Sequence, residues 1–429
     1  MPSSPTRVLV IGYVWPEPTS SAAGGHMMQI IEAFLGQGWA VTFSSPAAAG
    51  EHTADLEALG IERCAITLND SSFDHFIEAL QPDIVLFDRF MMEEQFGWRV
   101  EKHCPNALRV LESSDLACLR DARQRLLKAH LKCAPSADDC TTLFAVRGQA
   151  LYPYMAEADM TLREMAAIYR CDLSLMISDL EIQLLTEVFG VPANLLLWCP
   201  LMLDTPRDPP PGFDEREHFL SIGNFRHAPN WDAVLWMKNS LWPLIRARLP
   251  TAQLHIYGAY TPPKATALHN PAQGFLVLDR ADDALRVMRQ ARIALAPLRF
   301  GAGIKGKLAD AMLCGTPSVT TPLGSEGMHG DLPWPGALAT SVAGLADAAV
   351  ALYQDRRAWD QAQRQARVLL AARYDRRQHA TALVNTLQQL SATLASHRQG
   401  NFTGTLLRHH HHKSTQYMAQ WIEAKNRLH

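Results

Sequence analysis

Residues 293–322 read IALAPLRFGAGIKGKLADAMLCGTPSVTTP, and this stretch contains the unit from which the fold can be inferred. The apolar run Ile293–Leu298 predicts a buried strand, and Ser318–Pro322 predicts another. Between them, a glycine-rich turn leads into a segment with helical spacing that begins at Gly306 or Lys307. A strand, a helix and a strand in this order are typical of a parallel sheet covered by helices.

The same alternation of strands and helices extends over most of the chain. In the first half, strands are predicted at Arg7–Tyr13, Ala40–Ser44, Ala65–Leu68, Ile84–Phe87, Leu108–Leu111 and Asp172–Ile177. In the second half, further strands are predicted at His218–Phe225, Gln253–Tyr260 and Gly274–Asp279. The segments with helical spacing between them include Gly24–Leu35, Phe73–Leu80, 119–170 and Ser178–Phe189, where Ser178 and Glu181 match a capping box. We therefore predict an α/β protein with two doubly wound, Rossmann-like domains that face a central cleft.

The boundary between the two domains is marked by proline. Residues 205–213 (TPRDPPPGF) are too rich in proline for the interior of a strand or a helix, so we place a linker there. The predicted parts are an amino-terminal domain (1–204), a carboxyl-terminal domain (214–395) and a tail (396–429). In the tail, Tyr417, Trp421 and Ile422 have a spacing that suits docking of an aromatic helix face.

The composition limits the classes of function. With 429 residues, of which 48% are apolar and 19% charged, the chain has enough length for two or three globular domains. The 40 Lys and Arg against 43 Asp and Glu leave a net charge of −3, so no general positive field attracts nucleic acid or anionic lipid. Since no apolar run could cross a bilayer, no signal peptide is recognised and the 8 cysteines form no Cys-x-x-Cys pair, we expect a reduced, cytoplasmic protein.

The sequence disfavours two classes of cofactor. The first strand ends IGYVWPEP, without the Gly-x-Gly-x-x-Gly fingerprint of dinucleotide binding, so NAD and FAD are not expected. The run His409–His412 is treated as native because ordinary sequence follows it. Consecutive histidines do not converge on one ion without a fixed backbone, so no metal site is predicted.

The turn after Ile293–Leu298 carries the strongest indication of a ligand site. It contains three glycines and three cations, namely Gly301, Gly303, Gly306, Arg299, Lys305 and Lys307. Backbone N–H groups, a helix N-terminus and fixed cations that act on one ligand suit a diphosphate. Asp310, one helical turn further on, could accept hydrogen bonds from ribose hydroxyls. The alternatives are a solvated basic turn and a surface carboxylate.

Other candidate residues follow other predicted strands. A second glycine turn, SIGNFRHAPNWDA (Ser221–Ala233), contains Gly223, Arg226, His227 and Asn230. Gly258 and Arg280 also follow strands, at points where a nucleotide base or ribose could lie.

In the first domain, the loop TSSAAGGH brings Gly24 and Gly25 to the start of a helix. Bare backbone there could approach an anionic or hydroxyl-rich ligand, and the alternative is a simple N-cap by Ser20 or Ser21. His26 follows directly, where it could reach the cleft or face solvent.

The segments SIGNFRHAPN, IYG, PLRFGAGIKGK and KLADAMLCGTPSVTT resemble the donor-site signature of the retaining GT-B glycosyltransferases of family 4, or group 1. The resemblance covers most of residues 215–370 and is weaker in the amino-terminal half. It implies a GT-B fold in which the second domain binds a nucleotide-sugar donor, with UDP- or GDP-sugars as the expected co-substrate. It also implies that the first domain binds the acceptor, that configuration is retained and that no metal is obligatory.

The resemblance assigns roles to several residues. It implies that Arg299 and Lys305 or Lys307 bind the diphosphate, that Asp310 binds the ribose, and that Gly223 and Arg226 lie on the phosphate side. The family's pair of acidic residues eight positions apart is incomplete, because Asp310 replaces the second Glu and Ala302 occupies the first position. The resemblance further implies that the carboxyl-terminal helix crosses back onto the first domain.

The acceptor side and the catalytic groups are less defined. FDRF and LESSDLACLRDAR each begin as a strand ends, which places Asp88, Arg89, Glu112 and Asp115 near the expected acceptor. Our candidate catalytic residues are Asp115, Asp88 and His26, and no base is assigned because the leaving phosphate could itself take the acceptor proton.

The leading hypothesis is a glycosyltransferase with an unidentified acceptor, which could be a glycan, a lipid-linked molecule, a protein or RNA. The alternatives are a sugar-nucleotide epimerase, hydrolase or phosphorylase of the same fold, and a binding or scaffolding protein with a degenerate site. Residues 119–132 (LRDARQRLLKAHLK) could contact a membrane peripherally, or form an ordinary helix with Leu126, Leu127 and Leu131 turned inward.

Overall fold

The computed structural model describes residues 5–133, 138–409 and 413–427. Its strands are β1 (Arg7–Ile11), β2 (Ala40–Ser45), β3 (Glu62–Ala65), β4 (Ile84–Asp88), β5 (Leu108–Glu112), β6 (Leu173–Met176), β7 (Leu196–Trp198), β8 (Glu217–Ile222), β9 (Leu254–Tyr257), β10 (Phe275–Val277), β11 (Ala291–Ala296), β12 (Ser318–Thr320) and β13 (Gly336–Leu338).

The helices of the first half are α1 (Ala22–Leu35), α2 (Ser72–Leu80), α3 (Phe90–His103), α4 (Ala117–Cys133), α5 (Thr141–Phe144), α6 (Tyr152–Met155), α7 (Asp159–Arg170) and α8 (Asp179–Glu187). Those of the second half are α9 (Ala228–Trp236), α10 (Trp242–Arg248), α11 (Pro263–Thr266), α12 (Ala284–Gln290), α13 (Gly306–Leu313), α14 (Val342–Gln354), α15 (Arg356–Arg373), α16 (Arg376–Ala392), α17 (Leu394–Gly400), α18 (Phe402–Leu407) and α19 (Lys413–Asn426). Within the described residues, no helix combines the length and apolar character needed to cross a membrane.

The strands form two parallel sheets with the same internal order. The first sheet is β3-β2-β1-β4-β5-β6-β7 and the second is β10-β9-β8-β11-β12-β13. In each sheet the order reverses beside the first strand, so β1 neighbours β4 and β8 neighbours β11. The prediction of two Rossmann-like α/β domains is confirmed, and ligands of such sheets bind at the carboxyl ends of the strands near this reversal.

Helices cover both faces of the first sheet because its strands are apolar on both sides. Leu9 and Ile11 of β1 lie in a core with residues of α3 and α7, whereas Val8 and Val10 lie in a core with residues of α1. Burial on both faces explains why β1 is a continuous apolar run.

Two strands were not predicted from the sequence, and one lies elsewhere. β7 and β13 are each three residues long, too short to show a strand period. β3 occupies Glu62–Ala65 instead of Ala65–Leu68, because the exposed edge strand has little apolar patterning to fix its ends.

The structure corrects the predicted end of the second domain. α16 was assigned to that domain, but its Leu383, Val384 and Leu387 lie in the core of the first domain beside α1. The chain therefore returns to the first domain near Asp375, not after residue 395. The sequence of an amphipathic helix shows that the helix has an apolar face, but it does not show which sheet that face covers.

Arg398 of α17 fixes this returning segment to the first sheet, at the amino ends of β5 and β6. Its guanidinium donates to both carboxylate oxygens of Asp172 at 2.7 and 2.8 Å and to the carbonyls of Pro105 and Ala107. Burial alone would raise the pKa of Asp172, but Arg398 and Arg109 lower it overall.

α19 packs on α3 of the first domain, but not through its aromatic residues. Tyr417 is 65% exposed and Trp421 60% exposed, whereas Ala419 is buried. The prediction that the aromatic face docks is therefore wrong. Small Ala419 allows close contact with α3, and Glu423 anchors the helix by accepting a hydrogen bond from the Ser71 hydroxyl at 2.7 Å.

A buried ion pair and a close backbone approach are among the contacts that hold the domains together. The guanidinium of Arg123 in α4 forms a bidentate pair with Glu326, at 2.6 and 2.9 Å, and donates to the carbonyl of Gly301. Glycines also let the two backbones approach closely, since a Cβ on Gly306 would lie 2.4 Å from the Cβ of Ala22. The first turns of α13 and α1 therefore face each other across the cleft.

This close approach predicts a compensating pair of substitutions. Gly306→Ala should lower the free energy of unfolding by about 1–3 kcal/mol through overpacking, although alanine favours helices. Ala22→Gly should cost about 1 kcal/mol alone, but should relieve the clash when combined with Gly306→Ala. Urea unfolding of the four proteins measures the coupling energy, and strictly additive effects would contradict the contact.

Candidate functional site

The crevice at the carboxyl edges of both sheets brings together the second glycine turn and the start of α13. The Lys307 ammonium donates to the side-chain oxygen of Asn230 at 2.7 Å. A Cβ on Gly223 would lie 2.7 Å from Lys307 Nζ and 2.6 Å from the amide nitrogen of Asn230. Gly223 therefore leaves its backbone open beside a fixed cation, as a phosphate group would require.

Lys307 carries its charge in a poorly solvated position. Burial lowers its pKa to about 7, and the nearby charge of Lys305 adds to the shift. An anion in the crevice would reverse this effect, because an opposite charge favours the protonated ammonium.

Lys305 points back into its own loop. Its ammonium donates to the carbonyls of Gly303 at 2.6 Å and Ala302 at 3.2 Å. Burial lowers its pKa to about 8, against the opposing effect of Glu326. Lys305 thus shapes the loop, while Lys307 faces the glycine turn.

Asp310 lies one turn into α13 with a carboxylate that has no hydrogen-bond partner among the described residues. Burial raises its pKa to about 6. A desolvated acceptor without a donor is suited to ligand hydroxyl groups, which would supply the missing hydrogen bonds.

The first domain contributes an ion pair to the same crevice. The carboxylate of Asp115 pairs with Arg120 of α4, and a Cβ on Gly303 would lie 2.8 Å from the Cβ of Asp115. His227 lies on the opposite wall with an exposed side chain. The protein atoms that surround the imidazole nevertheless desolvate it and lower its pKa to about 4. The charges of Asp115 and Arg120 act on that imidazole, so the two walls are close neighbours.

At the outer end of the crevice, Tyr260 links the domains. Its hydroxyl donates to the carboxylate of Glu17 at 2.9 Å, and the Arg226 guanidinium stacks 3.6 Å from its ring centroid. Nearby, Arg280 donates to the Thr19 hydroxyl at 3.1 Å. Arg226 and Arg280 therefore lie beside the contacts that link the two domains.

Gly258 completes this wall. A Cβ there would lie 2.4 Å from the carbonyl of Gly223 and 2.5 Å from the ring of Phe225. The residue packs the glycine turn against the end of β9, and any side chain would displace that turn.

Arg299 is occupied by a partner inside the second domain. Its guanidinium donates to both oxygens of Asp232, at 2.6 and 3.0 Å, and lies 5.0 Å from the ring centroid of Trp236. This bidentate pair and the stacking satisfy the guanidinium without a ligand. Arg299 is thus engaged by Asp232, and its contact with a diphosphate stays a prediction.

Gly24 and Gly25 lie in the first turn of α1, where the capping alternative is confirmed. The backbone N–H of Gly24 donates to the Ser21 hydroxyl at 3.1 Å, and that of Gly25 to the Ser21 carbonyl. A Cβ on Gly24 would lie 2.7 Å from the carbonyl of Glu17, so glycine is needed there for close packing.

His26 is buried and does not face solvent. Its Nδ1 lies 3.3 Å from the Glu112 carboxylate and its Nε2 lies 3.9 Å from the sulfur of Cys199. Burial alone would lower the pKa of His26, but Cys199 and Glu112 raise it to about 10. Through Glu112, His26 is linked to the end of β5, and its catalytic role stays a prediction.

The ends of β4 and β5 place two carboxylates side by side. Asp88 accepts a hydrogen bond from the backbone N–H of Tyr13 at 3.0 Å, and burial raises its pKa to about 6 while Arg89 opposes the shift. Glu112 accepts from the N–H and hydroxyl of Ser114, which has a left-handed φ of 57°. Glu112 therefore shapes the turn that presents Asp115.

Glu181 is a site residue that the sequence analysis misassigned. Ser178 makes no side-chain capping bond, so the predicted capping box is wrong. Instead, Glu181 Oε1 accepts from the backbone N–H groups of Gly303 at 2.7 Å and Leu116 at 3.2 Å. The Glu181 carboxylate therefore binds the N–H groups of two facing loops instead of capping α8. No local sequence signal reveals these long-range hydrogen bonds.

Groups suited to a metal ion are not found in the described parts of the chain, which omit His410–His412 of the histidine run. The 119–132 segment forms most of α4, with Leu127 buried and Leu126 and Leu131 partly buried, as the ordinary-helix alternative expects.

Comparisons with known proteins bear on the family and on the fold. Residues 216–355 match the family model described as Glycosyl transferases group 1. None of the curated proteins matches the sequence significantly. Among solved structures, Anabaena HepE in complex with UDP and glucose has 13% identity and a TM-score of 0.61, with 91% of this chain and 100% of that chain covered.

Two further structures show the same likeness. Sucrose-phosphate synthase from Thermosynechococcus elongatus has 14% identity and a TM-score of 0.61, over 90% of this chain and 100% of that chain. WaaG, a glycosyltransferase involved in lipopolysaccharide biosynthesis, has 13% identity and a TM-score of 0.59, over 89% of this chain and 99% of that chain. The fold is therefore that of the GT-B glycosyltransferases, and the group 1 family match lies in its second domain.

Proposed function

We propose that the protein is a retaining glycosyltransferase that uses a nucleotide-sugar donor without an obligatory metal. The observation that carries this proposal is the pairing of Lys307 with the open backbone of Gly223, one helical turn from the unpartnered carboxylate of Asp310. A cation beside bare backbone suits a diphosphate, and a desolvated carboxylate suits ribose hydroxyls. A diphosphate and a ribose are the two polar parts that UDP- and GDP-sugars share.

The charge that develops on the leaving diphosphate would be balanced by Lys307 and by the N-terminus of α13. α13 is fixed by its packing on α15, and Lys307 is held beside Gly223 by Asn230, so this side chain needs only to exchange that bond for one to the diphosphate. Such fixed positive groups can fill the role that a divalent metal has in other enzymes.

The acceptor would enter from the first domain, beside Asp115. In the proposed reaction, the bond between the sugar C1 and the diphosphate oxygen breaks, and an acceptor oxygen bonds to C1 from the same face. The acceptor proton passes to the leaving phosphate oxygen. Asp115, held by Arg120 and by the turn that Glu112 shapes, would orient the acceptor hydroxyl.

We propose a UDP-sugar as the first donor to test, since the similar HepE structure contains UDP. The hydrogen bond from Tyr260 to Glu17 joins the two domains beside the crevice, as exclusion of water from the reaction would require.

Donor turnover tests this function. The protein should bind a nucleoside diphosphate and slowly release it from the matching sugar conjugate, as measured with UDP-, GDP- and ADP-sugars. Lys307→Gln should lower kcat/KM about a hundredfold by removing transition-state charge stabilisation, and Asp310→Asn should mainly weaken binding. Lys264→Gln and Asp282→Asn, at exposed positions, should leave both unchanged.

Nucleotide binding without any turnover would support a scaffolding protein and contradict the transferase. Absence of binding at millimolar concentration would contradict the nucleotide site itself.

The lowered pKa of Lys307 predicts a pH dependence. In the free protein this ammonium loses its proton above about pH 7, and Lys305 follows at about pH 8, whereas His227 stays neutral and Asp310 stays ionised. Diphosphate binding must then restore a proton, so affinity should fall with rising pH, by up to about tenfold per unit. Lys307→Arg, which stays charged, should flatten the profile.

Calorimetry in buffers of different ionisation enthalpy measures this proton uptake directly. Proton release, or an unchanged profile in the Arg variant, would show that Lys307 does not contact the diphosphate.

A further inference from the structure

Helix α19 has its larger apolar side chains on the solvent side. Tyr417, Met418 and Trp421 are 65%, 58% and 60% exposed, and of the described residues in this helix only Ala419 is buried. Scattered exposed apolar residues are common on proteins, but an amphipathic helix normally turns its large apolar residues inward. The reversed orientation indicates that something else covers this face.

Charge on the same face has one sign. Lys413 and Lys425 are exposed, and the ammonium of Lys425 lies 5.3 Å from the ring centroid of Trp421. Glu423 is the carboxylate of this helix, and it is turned inward onto Ser71, with its side chain 13% exposed. The solvent face of α19 therefore combines aromatic rings with cations and carries no carboxylate.

The rest of the carboxyl-terminal tail also contains basic residues and exposed apolar residues. Residues 394–429 contain 5 Lys and Arg and 1 Glu, within a chain whose net charge is −3. The preceding helix α18 exposes Phe402 and Leu406, and it packs on α7, which neighbours α3 beneath α19. Arg398, Arg408 and Arg427 are paired with Asp172, Glu101 and Glu423, so the cations that accompany the exposed apolar side chains of α19 are Lys413 and Lys425.

We propose that α19 lies in the interface of an anionic lipid surface, with Tyr417, Met418 and Trp421 inserted and Lys413 and Lys425 at the headgroups. Tyr and Trp favour the headgroup boundary because they join an apolar ring to a polar tip, and lysine side chains extend to anionic headgroups. A nucleic acid would gain little from Met418 or Leu406, which offer neither hydrogen bonds nor a stacking face. This proposal does not depend on the transfer reaction.

The test uses flotation of the full-length protein with phosphatidylcholine vesicles, with and without phosphatidylglycerol. Binding should require phosphatidylglycerol and weaken as salt rises. Tyr417→Ser with Trp421→Ser should lower the partition coefficient about tenfold, because two inserted rings are lost. Lys413→Gln with Lys425→Gln should lower it several-fold.

Val368→Ser with Leu244→Ser is the matched control, since these side chains are 59% and 44% exposed on the second domain. This control should bind vesicles like the unmodified protein, and all variants should keep its melting temperature.

Absence of binding to anionic vesicles, or undiminished binding of the aromatic variant, would overturn the proposal. Self-association measured by light scattering, if Tyr417→Ser with Trp421→Ser abolished it, would instead identify a second copy of the chain as the occupant.

Discussion

The buried carboxylate of Glu181 holds the glycine-rich loop of the second domain against the first. One oxygen accepts from the N–H of Gly303 and from that of Leu116, so a single group ties two loops across the cleft. Burial and the neighbouring charge of Asp115 raise its pKa to about 7. The positions of Lys305, Lys307 and the start of α13 all follow from this attachment.

The charged forms of Lys307 and Asp310 are poorly solvated in the crevice, and a ligand could compensate for the lost solvation. Burial lowers the pKa of Lys307 and raises that of Asp310, so neither group is solvated as well as it would be in water. Each lacks the partner that its chemistry prefers, an anion for the ammonium and hydroxyl donors for the carboxylate. Lys305 and Arg299 differ, because carbonyls or Asp232 already satisfy them. We therefore propose Lys307 as the cation that contacts the ligand, because its present partner is a neutral amide, whereas Arg299 is already paired with a carboxylate.

The sequence predicted those features that depend on local pattern. Apolar runs such as β1 and β11 identify buried strands by themselves, and the density of glycine and lysine around the start of α13 indicated the candidate site. Long-range features could not be predicted: the partner of Arg299 lies on α9, and Glu181 binds loops from both domains. For the same reason the outward orientation of Tyr417 and Trp421 was missed, since helical spacing defines a face without showing what covers it.

The most direct test of the central claim is a crystal structure of the protein with UDP bound. The account predicts that the diphosphate lies within hydrogen-bond distance of Lys307 Nζ beside Gly223, that Lys307 turns away from Asn230, and that the ribose hydroxyls donate to Asp310. A nucleotide bound elsewhere, or one bound here while Lys307 keeps its bond to Asn230 and Asp310 stays unpartnered, would contradict the account.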